Sequence, residues 1–140
     1  MAGVGQQAPL FSPLTDLTAP VLLAFFKITC PTCQMTFPFL QRLADRGGPR
    51  IVGVSQDDAE GTEEFKAAFG VRFETVLDEG FPASNAYGLE YVPTMVLVEP
   101  DGRISWRLES FVKAELEELA GRWGVTLFDA GDRVPNYKPG

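Results

Sequence analysis

The sequence predicts a single α/β domain built on a mixed β-sheet with helices on both faces. Three observations carry that expectation. Val21-Leu22-Leu23-Ala24-Phe25-Phe26 and Arg50-Ile51-Val52-Gly53-Val54-Ser55 are short, nearly continuous apolar runs, the pattern of strands buried on both faces in parallel sheets. Stretches with helical spacing follow each of them. Two further β-rich runs, 94–98 and 103–108, are joined by the turn residues Pro100-Asp101-Gly102 and read as an antiparallel hairpin.

Taken in order, the first helix is expected from Pro31 to about Arg46. Pro31 suits its first turn, Met35, Phe39 and Leu43 recur at fourfold spacing, and Phe37, Leu40 and Ala44 widen the apolar face. Pro38 falls inside it and predicts a kink, because proline removes an N–H and crowds the preceding turn. A second helix is expected over 62–69, with Phe65, Ala68 and Phe69 inward and Gly70 as its stop. A short strand near 74–77 and a short helix near 82–87 come next. Ser110 is placed as the cap of a last helix whose Leu116, Leu119, Ala120 and Trp123 share one face. The folded core is expected over about 9–124, with 125–140 as an irregular tail lying over the surface. Phe11, Phe25, Phe26 and Phe73 are expected in the core.

The chain has 140 residues, and 12 Lys and Arg against 19 Asp and Glu leave a formal charge of −7. That balance argues against nucleic acid or an anionic lipid surface as partner, since both are bound through accumulated positive charge. No run reaches the roughly 20 apolar residues of a membrane span. Residues 1–7 lack the basic and apolar regions of a secretory signal, so a cytoplasmic address is expected.

There is no histidine, which removes Ser-His and Cys-His nucleophile pairs and His-ligated metals. The only cysteines are Cys30 and Cys33. Two sulfurs cannot complete a structural zinc site, and Gln34 stands where a c-type haem site needs histidine. Neither a metal nor another cofactor is therefore expected. Two uses of Cys30-Pro31-Thr32-Cys33 remain: a structural disulfide across a very small loop, or dithiol-disulfide exchange. Exchange is favoured by position. Cys30 sits where a buried strand meets a helix N-terminus, and unpaired N–H groups and the helix dipole there favour a thiolate. Cys30 is thus expected to attack, and Cys33, one turn on and more enclosed, to resolve the mixed disulfide. Lys27 is a candidate for lowering the Cys30 pKa. Thr32 is expected either to bond a sulfur or to face water, and Asp57, Asp58 and Glu60 read as a solvated acidic turn.

This order of elements, with the cysteine pair after a buried strand and Val92-Pro93-Thr94 some 60 residues on, resembles the thioredoxin superfamily. Within it the chain resembles the TlpA/ResA-like thiol-disulfide oxidoreductases that grade into the peroxiredoxin-like redoxin group. The opening Val4-Gly5-Gln6-Gln7-Ala8-Pro9-Leu10-Phe11, Pro38 five after Cys33, and the run 81–94 carry the likeness, and residues 57–79 match an extra helix-strand insertion. The resemblance implies a thioredoxin-like fold and thiol-disulfide exchange. It assigns Pro93 as a cis-proline facing Cys30 and Cys33, with Pro31, Thr32, Val92 and Thr94 beside the substrate. It also implies a disulfide-bearing protein or small thiol as substrate and an upstream dithiol as reductant. The chain departs from the pattern in two places. The acids that relatives carry near the cysteines are replaced by Ala24 and Thr36, and the tryptophan before the pair is replaced by Ile28 and Thr29.

Two other functions are weighed. In a thiol peroxidase Cys30 would form a sulfenic acid resolved by Cys33, but Lys27 stands where a peroxidase motif has a threonine. In a binding module the two thiolates would hold a partner or Cu(I), with Met35 and Met95 as added ligands.

Overall fold

The computed structural model describes every residue except Met1, Ala2, Leu10, Ser12, Pro13, Thr15 and Asp16. Leu10 of the opening motif and the first two residues of the chain thus lie outside the described residues. Five strands form one sheet: β1 (Val21–Phe26), β2 (Arg50–Ser55), β3 (Glu74–Leu77), β4 (Thr94–Val98) and β5 (Ile104–Glu109), in the order β3-β2-β1-β4-β5. β2 runs parallel to β1 and β3, whereas β4 runs antiparallel to β1 and β5, so the sheet is mixed. All six residues of β1 are buried, as its apolar run requires of a central strand.

Alternation along β1 divides the core. Leu22, Ala24 and Phe26 face one layer, with α1 (Pro31–Asp45), α2 (Ala59–Phe69) and α4 (Lys113–Gly121). Val21, Leu23 and Phe25 face the other, with α3 (Pro82–Ala86), Tyr87 and the N-terminal segment around Ala8 and Leu14. Phe37 of α1 is fully buried, with ring centroids 4.5 Å from Phe26, 5.5 Å from Phe65 and 5.8 Å from Phe73, tying α1 to the sheet and to α2. Of the four phenylalanines expected inside, Phe25, Phe26 and Phe73 are buried, and Phe11 packs edge-on against Tyr87 with centroids 5.8 Å apart. Among the described residues no helix is long and apolar enough to cross a membrane.

Three local expectations need correction. The buried stripe of α1 runs through Cys33, Thr36, Phe37, Leu40 and Leu43, while Met35 and Phe39 lie at its margin, only partly buried. A polar residue can hold the middle of that stripe because the Thr36 hydroxyl donates to the Thr32 carbonyl at 2.7 Å. The helix continues through Pro38, which faces solvent. α2 starts at Ala59, three residues before the expected start, because Asp58 is its N-cap and accepts from the Gly61 N–H at 2.7 Å. Its other end is as expected, with Gly70 in the left-handed conformation. Ser110 does not cap α4. It holds a positive φ of 70° and donates its N–H to the Pro93 carbonyl, and the chain then forms a two-residue strand, β6 (Phe111–Val112), before α4 begins.

The segment after α4 is built onto the domain. Val125 and Leu127 join the core, and Phe128 packs against Phe39 and Phe111. Arg42 reaches Asp132 and the Leu127 carbonyl from α1, and Arg46 reaches Asp129. The chain then returns as β7 (Tyr137–Lys138), antiparallel to β6.

Candidate active site

Sheet register brings the two sequence motifs together. β1 ends at Phe26, four residues before Cys30, and β4 begins at Thr94, directly after Pro93. Antiparallel pairing sets Thr94 opposite Phe25, so the end of β1 and the start of β4 share one edge of the domain. The N-terminus of α1 opens at that edge with Cys30 as its N-cap and Pro31 at its first position. The Val92-Pro93 peptide is cis and Pro93 is buried. The Cys30 thiol lies 3.4 Å from the Val92 carbonyl oxygen and donates to it.

Both cysteines are free thiols, and their surroundings differ sharply. Cys30 is partly exposed. As the N-cap, its sulfur accepts the Cys33 N–H at 3.2 Å, one of the unpaired donors of the first helical turn. Its pKa falls from 9.0 to about 6. The hydrogen bond from the Cys33 side chain is the largest cause and outweighs the opposing cost of burial; helix N–H groups and the Lys138 ammonium lower it further. Cys33 is fully buried against Phe37 and the sheet, and burial foremost, then its bond to Cys30, drives its pKa far upward. Near neutral pH the pair holds one accessible thiolate and one enclosed thiol.

These shifts set a pH profile. Alkylation of the reduced protein by iodoacetamide is expected to reach half its limiting rate near pH 6, with one label per chain at Cys30. Replacing Cys33 by alanine removes the main stabilising bond and moves that midpoint up toward ordinary thiol values. The same displacement links to stability. Between about pH 6 and 9 the unfolded chain holds a proton on Cys30 that the folded chain has released, so the stability of the reduced form rises with pH in that window. It is lost as pH falls through 6, which chemical denaturation at pH 5.5, 7 and 8.5 measures.

The other predicted positions are placed as follows. Pro31 is exposed on the rim. Thr32 is buried and does neither of the things expected of it, since its hydroxyl donates to the Pro139 carbonyl at 2.5 Å. Val92 is partly buried and presents its carbonyl to Cys30. Thr94 is fully buried, and its hydroxyl donates to the Tyr91 carbonyl at 2.7 Å, bracing the loop before Pro93. Lys27 is exposed at the end of β1, and the cation acting on Cys30 is Lys138, more than a hundred residues along the chain. Ala24 and Thr36, where the resemblance implies acids, are both fully buried.

Several residues take a part at the site that the sequence does not announce, among them Asp57, which is expected in a solvated acidic turn and instead bonds the loop before α1. The Asp57 carboxylate accepts the Ile28 N–H at 2.8 Å and Gln34 donates to the Ile28 carbonyl at 3.0 Å, fixing the loop between β1 and α1. The signal for Asp57 was its place just past β2, at the carboxyl ends of parallel strands where ligands collect. Lys138, Pro139 and Gly140 approach the site from the far end of the chain, where no local pattern marks them, and Ser110, expected as a helix cap, accepts the Gly140 N–H instead.

Residues 4–107 match the model of the AhpC/TSA family. Among characterised proteins, the thiol-disulfide oxidoreductase ResA of Halalkalibacterium halodurans is 31% identical over 88 residues, covering 60% of this chain and 50% of that protein. ResA of Bacillus subtilis is 29% identical over 96 residues, covering 65% and 54%. The chain thus spans about half the length of these relatives. Among solved structures, a putative thiol:disulfide interchange protein DsbE from Chlorobium tepidum superposes with a TM-score of 0.73 at 23% identity, covering 87% of this chain and 96% of that one. The thioredoxin domain of a thiol-disulfide oxidoreductase from Bacteroides vulgatus gives a TM-score of 0.74 at 20% identity, covering 87% and 98%. The fold is therefore thioredoxin-like, and the chain belongs to the AhpC/TSA family, with similarity to the ResA thiol-disulfide oxidoreductases.

Proposed function

We propose that the protein is a thiol-disulfide oxidoreductase in which Cys30 attacks and Cys33 resolves. The observation that carries this reading is the asymmetry of the pair: a partly exposed Cys30 ionised near neutral pH beside a buried Cys33 that keeps its proton. The Cys30 thiolate attacks one sulfur of a substrate disulfide. The Cys30–substrate bond forms, the substrate S–S bond breaks and the first substrate thiolate departs. Cys33 then gives up its proton and attacks the Cys30 sulfur, forming the Cys30–Cys33 bond and releasing the second substrate thiolate. The departing thiolates take up the proton Cys30 had released and the one Cys33 yields. The substrate disulfide is reduced by two electrons and the protein dithiol is oxidised by two.

The ResA relatives bear the name of this activity, which supports the reading. Pro31, Val92 and Pro93 line the approach to Cys30 and would meet the substrate, with Thr32 and Thr94 shaping the walls behind them. The substrate is a disulfide in a protein or small thiol, and an upstream dithiol restores the reduced pair. In the cytoplasm, the address proposed for it, the chain acts as a reductant, because that compartment keeps dithiols supplied. The absence of a hydroxyl three residues before Cys30, where Lys27 stands, disfavours peroxide chemistry. Mixing reduced protein with glutathione disulfide or insulin tests the proposal: one substrate disulfide is expected to be reduced for each Cys30–Cys33 disulfide formed. Substrate left intact would contradict it.

A further inference from the structure

Residues 136–140 lie across the mouth of the site and satisfy it. Lys113 donates its N–H to the Asn136 carbonyl at 2.9 Å, and β7 pairs with β6 so that Tyr137 faces Val112 and Lys138 faces Phe111. The Pro139 carbonyl accepts the Thr32 hydroxyl from inside the Cys-Pro-Thr-Cys turn. The Gly140 N–H donates to the Ser110 hydroxyl at 3.0 Å. Gly140 also packs so closely on the Val92 carbonyl, the group that accepts from Cys30, that a Cβ there would collide with it. A recess of about 340 Å³ between Tyr91, Glu109 and Ser110 has Tyr137, Pro139 and Gly140 as its other wall.

The hydrogen bonds holding this segment come from its backbone. Its side chains contribute little, since Tyr137, Pro139 and Gly140 are exposed. A groove satisfied by the carbonyls and N–H groups of an extended chain fits any extended polypeptide, by the logic of strand addition to a free edge. We infer that residues 136–140 are an intramolecular occupant of the polypeptide-binding groove, a strap that must lift before a protein disulfide can dock on Val92 and reach Cys30. This rests on the exchange reading above and adds to it a substrate class and a form of control. The groove is for extended polypeptide disulfides, and the strap competes with them. A small disulfide needs only the partly exposed Cys30 sulfur and reacts with the strap in place.

The arrangement is built for reversible opening. A two-residue strand and a few hydrogen bonds hold the segment, and such weakly buried elements occupy the low-stability end of a fold. The anchor for its return lies just upstream, where Arg42, Asp132 and Phe128 pin the chain against α1. Tethering keeps the strap near its groove at an effective concentration on the order of millimolar, which a dilute substrate must overcome.

The test compares oxidation of the reduced protein by insulin and by glutathione disulfide at pH 8, where Cys30 is ionised with or without Lys138. Deleting residues 136–140 is expected to raise the insulin rate about tenfold relative to the glutathione disulfide rate, as for a groove otherwise open about a tenth of the time. Gly140→Val in the intact chain, which drives a side chain into the Val92 carbonyl, is expected to shift the two rates in the same selective way without shortening the protein. The amidated peptide Asn-Tyr-Lys-Pro-Gly at millimolar concentration is expected to slow insulin exchange by the deletion variant. An unchanged ratio of the two rates in both variants, with glutathione disulfide still reacting normally, would overturn the strap while leaving the exchange function standing. No reaction with either disulfide in any form would overturn both.

Discussion

Replacing Cys30 with serine is expected to reduce disulfide exchange to background, a loss on the order of 10³-fold or more, as when an enzyme loses its nucleophile. The serine hydroxyl is not ionised at neutral pH, so nothing at the helix N-cap can attack a sulfur. Cys33 does not substitute, because it is fully buried and held protonated. Cys33→Ser fails in a different way. The first attack still proceeds, since Cys30 keeps the helix N–H groups and Lys138 around it, but the mixed disulfide has no internal thiol to resolve it. A covalent adduct should therefore accumulate in Cys33→Ser, be absent in Cys30→Ser, and be visible as a mass increase equal to one substrate half. Adduct on Cys33 in the Cys30→Ser protein would reverse the assigned roles.

Phe37→Ala is expected to be the most damaging single change away from the cysteines. The ring is fully buried among Phe26, Phe65 and Phe73, so truncation leaves a cavity at the junction of β1, α1 and α2. Large-to-small changes at such sites cost about 3–5 kcal/mol against a total stability of about 5–15 kcal/mol. For a domain of this size that lowers the melting temperature by about 10 °C or more. Phe37 lies one turn beyond Cys33 on the same helix, so the loosened packing also reaches the pair: alkylation of Cys33 in the folded variant should become measurable. Phe37→Leu, which retains most of the volume, should lose less than half as much. A melting temperature unchanged in Phe37→Ala would mean that α1 is not seated as described.

Much of this architecture was legible because single signals were strong. A six-residue apolar run has few alternatives to a central strand, and two cysteines at a strand-helix junction with no histidine in the chain leave few chemistries. The edges of elements were harder, because a short polar side chain has several uses. Asp58 reads equally well as a solvated turn residue or as a helix cap, and only the Gly61 N–H decides. Ser110 has the composition of a cap but is held at positive φ between β5 and β6, a requirement imposed by its bond to Pro93. The face of α1 shifted because Thr36 could be buried once its hydroxyl bonded Thr32 within the same helix.

The strap lay beyond local reading for a different reason. Apart from the Lys138 ammonium, its contacts are made by backbone, by a proline carbonyl and by a glycine, groups that leave no periodicity. They also join residues about a hundred positions apart: Thr32 with Pro139, Cys30 with Lys138. The lack of periodicity over 125–140 suggests an irregular tail and gives no sign of where its residues pack. Asp57 lies between these cases, since the sequence reads it as part of a solvated acidic turn, while its bond to the Ile28 N–H required the fold.

If Cys30 and Cys33 form one exchanging couple, a thiol-disulfide redox titration of the protein must show it. Reduced and oxidised dithiol buffers set the potential, and alkylation followed by intact mass counts the free thiols. A single reversible transition is expected in which both thiols disappear together, with a tenfold change in ratio for about every 30 mV, the slope of a two-electron couple. Titration of one thiol alone, or two cysteines that stay free across the whole range, would contradict it.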